Sequence, residues 1–317
     1  MTQMVVRRLL QLPFIILAIY TITFVLAWLL PGNPLERPEG RRPPAAVIEA
    51  MSAQYNLDNP VKFYFSYLYD ASGLAYLAGD TDRVFDFGPC LQYQDWSVNE
   101  LIGSALPVSV TLGLAAITFA LVIGLTAGIV GAVRPGSFAD FATFLVALIG
   151  VSLPTFVIGA GLLILFAVVF PVFRVASWGG FSDLFLPALT LSLPYAAYIA
   201  RLTRLGMIDT LNQDFIRTAR AKGVPEWRVI LKHALKVSFL PVLSFLGPAT
   251  AAVMTGSFVV EKVYNVPGLG QHFVNSVLNK DLFVIMGVVL TYSTLLVLFN
   301  LIVDVLYRWV DPRIDIA

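Results

Sequence analysis

The chain has 317 residues, of which 58% are hydrophobic and only 13% charged. Soluble domains carry about 25% charged residues, so the composition excludes an ordinary water-soluble globule and points to an integral membrane protein. The net charge of +1 says nothing of partners, because the charges are segregated by loop, and the lone Cys90 excludes an internal disulfide.

Arg7 and Arg8 precede an apolar run, Leu9–Leu30. A cleavable signal has an apolar stretch of roughly 7–15 residues. This run is longer and ends in Pro31-Gly32-Asn33-Pro34 without a small-x-small site, so it reads as a retained first span. Five further spans follow at about Leu106–Val133, Phe138–Phe170, Leu184–Thr203, Val237–Val260 and Leu282–Leu306. Each reaches the roughly 20 residues needed to cross about 30 Å of hydrocarbon; the longest must tilt, kink at Pro154 or extend beyond the bilayer. The expected fold is an all-α membrane protein with six transmembrane helices and a long external loop after the first.

Basic residues near the spans set the orientation. Arg7, Arg8, Arg134, Arg201, Arg204, the cluster from Arg217 to Lys236, Arg308 and Arg313 fall on one side; the short loops opposite hold Arg174, Lys262 and Lys280. Both termini are therefore expected in the cytoplasm and Pro31–Ser104 outside. That loop is rich in proline, acidic residues and aromatics (Tyr55, Phe63, Tyr64, Phe65, Tyr67, Tyr69, Tyr76). It reads either as a docking surface for an external partner, together with Glu261–Asp281, or as a cap packing its aromatics on the helix ends. Cys90 lies in it, where a lone thiol is incidental.

The spans carry almost no charge. Asp304 with Arg308 four residues later is a favourable helix pair, which reads as structural. Intramembrane ionisable residues mark ion pathways; their absence from mid-span argues against an ion-coupled secondary transporter, the rival to a subunit driven from outside itself. Gly124, Gly128, Gly131, Gly150, Gly159, Gly161, Gly247 and Gly256, with Pro248, interrupt the spans. They serve either tight helix packing or a bundle that rocks.

The most informative stretch is Asn212–Gly223, between the fourth and fifth spans. Asp214, Phe215, Ile216, Arg217, Thr218, Ala219, Arg220, Ala221, Lys222 and Gly223 read as a short helix with a hard stop: Gly223 ends it and Pro225 prevents its continuation. Phe215, Ala219 and Lys222 share one face, Arg217 and Arg220 another. A second helix follows with an apolar stripe at Trp227, Ile230, Leu231, Ala234 and Leu235 and a basic one at Arg228, Lys232 and Lys236, suited also to lie on anionic membrane lipid.

Arg217-Thr218-Ala219-Arg220-Ala221-Lys222-Gly223 resembles the cytoplasmic signature of ABC importer permeases, and His233-Ala234-Leu235 with Leu240-Pro241 resembles its peptide branch. Arg217 and Thr218 replace the glutamate and alanine of the general signature, as that branch also does. The likeness extends over nearly the whole chain, through Arg7–Leu10, Pro31–Pro34, Phe87-Gly88-Pro89, Ser97–Ile102, Thr255–Glu261, Pro267–Gln271 and Asp311-Pro312. These stretches are most similar to the first oligopeptide permease subunit. The stretch Leu74–Phe85 is longer than that family's usual loop.

The resemblance implies a permease of the type I ABC importer fold, paired with a second homologous permease. Two ABC ATPase subunits sit beneath, each holding one coupling helix in a groove, an external binding protein delivers peptide, and the chain sits in the bacterial inner membrane. Its parts would be 1–105 (first helix and external loop), 106–303 (five-helix domain with a coupling loop at about 205–236) and 304–317 (tail). Dipeptides, nickel chelates or opines are alternative cargoes of such machinery. No Gly-x-x-x-x-Gly-Lys-Ser/Thr loop is present, so nucleotide chemistry belongs to a partner; no cofactor, metal, catalytic residue or nucleic acid is expected. His233 and His272 fall on opposite sides of the membrane by this topology and cannot form one site. Ser152, Thr155, Thr190, Ser192, Thr250 and Thr255, the polar residues of the central spans, are expected either to line an uncharged pathway or to make helix-packing hydrogen bonds.

Overall fold

The computed structural model describes residues 2–32, 34–35, 44–91, 95–174, 177–255 and 258–310. Helices follow the apolar runs because a backbone out of water must satisfy its own hydrogen bonds. In chain order they are α1 (Thr2–Leu29), α2 (Ala45–Gln54), α3 (Pro60–Ala71), α4 (Leu74–Ala78), α5 (Val98–Val133), α6 (Phe138–Ser152), α7 (Thr155–Leu163), α8 (Phe181–Leu211), α9 (Asp214–Ala221), α10 (Glu226–Arg228), α11 (Leu235–Ser238), α12 (Leu240–Thr255), α13 (Phe258–Tyr264), α14 (Leu269–Leu278) and α15 (Leu282–Val310). Two π-helical stretches, Ile164–Val169 and Val229–Ala234, continue α7 and join α10 to α11.

Four helices among the described residues are long and apolar enough to cross a membrane: Val6–Leu29, Val98–Val133, Phe181–Leu211 and Leu282–Val305. Two bent pairs raise the number to as many as six. The expected single span Phe138–Phe170 is broken rather than kinked: α6 and α7 meet at 110°. Pro154 has no N–H to give and disfavours the helical conformation in the residue before it; Leu153 is extended, at φ −92° and ψ 136°. The fifth predicted span, Val237–Val260, likewise contains a 58° bend, between Glu226–Ser238 and Leu240–Met254. Gly256, Ser257 and Asp311-Pro312 lie outside the described residues.

The chain forms two compact units. One is Thr2–Ser109 with Pro267–Val297, and its core is aromatic. Asn59 caps α3 by accepting the N–H groups of Val61 and Lys62, each at 3.1 Å, with Pro60 at the first helical position. The helix so started buries Phe63 and Tyr67. Phe63 stacks on Phe24 at 6.0 Å and on Tyr67 at 5.7 Å, and meets Phe283 edge-on at 5.3 Å. Tyr20 donates to the Tyr64 carbonyl at 2.6 Å, and Tyr67 to that of Phe283 at 3.4 Å. The aromatics thus make the cap that was one of the two readings. Tyr67 cannot be a docking contact, because its side chain is enclosed; Phe65, Tyr69 and Tyr76 are the exposed aromatics of the predicted set.

The same unit holds a wholly buried carboxylate, Asp281. It caps α15, accepting the Val284 N–H at 3.2 Å, and also takes the Leu91 N–H at 2.9 Å and the Cys90 thiol at 3.4 Å. Cys90 is therefore a buried donor rather than a loop bystander.

The other unit is Val110–Val266 with the chain from Leu298. Here small residues set the packing. A Cβ on Gly124 would lie 2.7 Å from the Ala196 carbonyl oxygen; one on Gly128 would lie 2.5 Å from Thr203 Cβ and 2.7 Å from the Ala200 oxygen. α5 therefore approaches α8 more closely than any side chain allows. Gly247 serves the same end against Val303, 2.9 Å from its would-be Cβ. Asp304 is partly buried on α15, and its expected partner Arg308 has a side chain outside the described residues.

Candidate functional site

The segment 212–236 is built on local chemistry. Gln213 is extended, and its carbonyl accepts from the Ile216 and Arg217 N–H groups at 3.1 and 3.3 Å, which starts α9. Asp214 in the first turn complements the helix dipole, and Thr218 Oγ1 donates to the Asp214 carbonyl at 2.9 Å. At the other end the Gly223 N–H reaches the Arg220 carbonyl at 2.9 Å and the Val224 N–H reaches that of Ala219 at 3.2 Å. This pair of bonds is a Schellman closure. Gly223 has φ +75°, while a Cβ there would meet nothing within 4 Å; the glycine is needed for its backbone angle, not for space.

One residue anchors the helix. Ile216 is completely buried among Ala132, Met207, Val229 and Ala234, with Ala219 and Val224 partly buried beside it. Asp214, Phe215, Arg217, Thr218, Arg220, Ala221 and Lys222 are exposed, Phe215 by 44%. Ala219 therefore turns inward while Phe215 and Lys222 stay exposed, because Ile216 and Ala219, with Val224 after the turn, form the side that meets the cluster. Arg220 is engaged within the segment: it binds Glu226 in a two-pronged pair at 2.6 and 3.2 Å across the Gly223 turn. Arg217 lies 3.5 Å from Asp214 in full solvent, a contact of little energetic weight.

The apolar stripe predicted for the next helix is partly displaced. Trp227 and Leu231 are 60% and 51% exposed, while Val229 and Ala234 are buried. The cause is the π-helical stretch Val229–Ala234, whose wider turn brings residues five apart onto one face. Trp227 instead lies under the Arg228 guanidinium, 5.0 Å from the ring centre.

The six polar pathway candidates divide. Ser152 is exposed at the end of α6, and Thr155 and Thr250 are half-buried. Thr190 and Ser192 are enclosed. Thr190 Oγ1 donates to the Leu186 carbonyl at 2.9 Å and lies 2.8 Å from the Tyr264 hydroxyl, which donates to the Gly159 carbonyl at 3.0 Å. Ser192 donates to the Leu189 carbonyl at 2.7 Å. In this structure both act as packing hydrogen-bond groups, the other reading given above. The Thr255 side chain lies outside the described residues.

An ion pair near the α6 start was not foreseen. Arg204 Nε lies 2.6 Å from Asp140 Oδ1 and its second nitrogen 2.8 Å from Oδ2. Oδ2 also accepts the Gly136 N–H at 2.9 Å, and Ser137 Oγ caps the Asp140 N–H at 3.2 Å. The only sequence signal was Ser137 as a helix cap three residues before an acid.

His272, on α14, is held below the usual imidazole range by burial. Among the described residues no three His, Cys, Asp or Glu side chains are grouped to hold a metal ion.

Residues 120–316 match the family described as the binding-protein-dependent transport system inner membrane component, and the chain belongs to that family of membrane permeases. It is 41% identical over 319 residues to the oligopeptide transport system permease protein OppB of Escherichia coli (strain K12), with 99% of each chain covered. It is 37% identical over 316 residues to the dipeptide transport system permease protein DppB of Bacillus subtilis (strain 168), covering 100% of this chain and 99% of that one. In fold it is similar to a chain of the inward-facing MetNI methionine ABC transporter, with a TM-score of 0.55 at 18% identity, over 67% of this chain and 97% of that one. The type I importer permease fold expected from the sequence is thus the fold observed.

Proposed function

We propose that this chain is one membrane subunit of an ATP-driven importer that carries peptides, and that Asp214–Gly223 is the helix on which a separate ATPase subunit acts. Two ATPase subunits, a second homologous permease and an external binding protein complete the assembly. Both termini lie in the cytoplasm, and 106–303 form the translocating body. Peptide cargo is favoured because the full-length relatives are named for oligopeptides and dipeptides. Ser152, Thr155 and Thr250, which keep exposed surface, are the preferred pathway residues.

The observation that carries the ATPase assignment is the build of α9. A helix of 8 residues is pinned by one buried side chain and closed at both ends by backbone bonds, yet presents an exposed aromatic. Phe215 lies outside the cluster that buries Ile216 and keeps 44% of its surface exposed, available to a groove in a partner. Phe215→Asp, with Ile216 untouched, is expected to reduce co-purification of the ATPase from detergent by roughly tenfold, about 1.4 kcal/mol, while membrane insertion persists. Undiminished recovery would refute the assignment. Peptide uptake by the purified chain alone in proteoliposomes would refute the multi-subunit reading.

A further inference from the structure

We propose that the Asp140–Arg204 ion pair is the strap that makes α6 follow movements of α9, so that it couples ATP hydrolysis to transport without touching nucleotide or cargo. The inference rests on the assignment of α9 to the ATPase. Both residues are positioning residues.

The pair lies where three helices converge. Gly131 of α5 forms its floor: a Cβ there would sit 3.0 Å from Asp140 Oδ1 and 3.2 Å from Arg204 Cδ. The next residue, Ala132, and Met207, three residues beyond Arg204, both belong to the cluster that buries Ile216 of α9. A displacement of α9 is therefore delivered through Ile216 to the adjoining ends of α5 and α8. α6 contributes nothing to that cluster. Its charged tie to the same place is Asp140, a side chain only 9% exposed that receives both prongs of Arg204.

The rest of the α6–α8 seam is uneven: beside a groove, a Cβ on Gly150 would lie 3.1 Å from the Leu193 carbonyl oxygen, so α6 packs directly on α8 near its far end. A cavity of about 210 Å³ runs between α5, α6 and α8, lined largely by Ala127, Ala142, Ala147, Ala196, Ala197 and Ala200. This groove is half-open, and side chains facing it lose dispersion contacts on that side, whereas the direct approach at Gly150 makes the far end of α6 move with α8. A two-pronged Arg–carboxylate bond has a fixed planar geometry, and Asp140 is further held by Gly136 and Ser137. The strap thus fixes the first turn of α6 to α8, and the Gly150 contact keeps the far end in step with it. At the far end of α6 stand Ser152, the break at Leu153-Pro154 and Thr155, where movement would open or close the preferred pathway residues. The chain of contacts, from Ile216 through Met207, Arg204 and Asp140 to α6, is contiguous, as coupling through packed elements requires.

The test uses the complete importer, with both permeases, the ATPase subunits and the binding protein, reconstituted in proteoliposomes. Peptide taken up per ATP hydrolysed is measured for wild type, Asp140→Asn, Arg204→Met and the swapped pair Asp140→Arg with Arg204→Asp. The two single variants are expected to keep the ATPase in co-purification and to lose uptake per ATP by roughly tenfold. The swap is expected to recover at least half the wild-type ratio. An unchanged ratio in the single variants overturns the proposal, as does a swap no better than they are. Where a single variant does not accumulate, Asp140→Glu keeps the charge and displaces it by one methylene; it should lower the ratio, and a wild-type ratio there also overturns the proposal. Because ATPase co-purification is scored separately, loss of the α9 assignment is distinguishable from loss of the strap.

Discussion

The cap of α1, α3 and α15 and the segment around α9 are held in place by opposite means. In the cap, Tyr20, Phe24, Phe63, Tyr67 and Phe283 bury large rings against one another, and hydroxyls tie the rings to backbone carbonyls. Many contacts share the energy, and the geometry is over-determined. Around α9 a single isoleucine supplies the burial, and the remaining order comes from backbone closure at Gly223 and a solvent-exposed Arg220–Glu226 pair. The first arrangement suits a part that must not move. The second suits a part that must stay defined in shape while another protein pulls on it.

That contrast can be broken most forcefully in the cap. Phe63→Ala removes the ring that touches Phe24, Trp28, Tyr67 and Phe283 and should cost about 3–5 kcal/mol, read as a lowered thermal midpoint of the purified protein. A change near zero would mean that the ring cluster is dispensable.

Ile216→Ala should have a smaller global effect and a sharper local one. Loss of a buried isoleucine costs about 2–5 kcal/mol, and here it falls on one short helix. Tryptic cleavage after Arg217 and Lys222 should accelerate while cleavage within the cap unit stays at the wild-type rate. Equal acceleration in both regions would show that α9 is not separately pinned.

The smallest effect concerns pH. Asp70 on α3 is raised above the ordinary carboxylate range, first by burial and then by Asp86 and Asp80 nearby. Its folded pKa lies above the unfolded value, so protonation favours the fold. The stability so linked is complete below the unfolded pKa and is lost as pH rises through the folded one. Asp70→Asn should remove that dependence and slightly raise the thermal midpoint at neutral pH. A lowered midpoint would mean that the carboxylate is needed in its charged form.

What was legible in the sequence is what neighbours along the chain decide. Gly223 and Pro225 mark the end of α9 because φ and the missing N–H act locally. The spacing of Gly124 and Gly128 announces a close helix contact for the same reason. The inward turn of Ala219 was hidden, since a helix of 8 residues has no fixed buried face until Ala132 and Met207 are supplied. The π-helical stretch at Val229–Ala234 has no compositional mark, so the split of the stripe, with Trp227 and Leu231 exposed and Ala234 buried, was hidden. Asp140 and Arg204 are separated by 64 residues, and Asp281 and Leu91 by 190; no local pattern links such pairs. The charge-free appearance of the spans was correct at mid-span and blind to the helix ends, where the ion pair sits.

The aromatic unit joins chain segments made far apart in time. Tyr67 closes on Phe283, 216 residues later, and the carboxylate that receives Leu91 is Asp281. During synthesis at about 5–20 residues per second, the first half of this core waits on the order of ten to forty seconds for the last helix to arrive. Over that interval Phe63, Tyr67 and the Leu91 amide have no native partners from α15. A truncation anywhere before Asp281 should therefore weaken the N-terminal third, where Phe63 and Tyr67 keep their neighbours on α1 and α3 but lose Phe283 on α15, and the Leu91 amide loses Asp281.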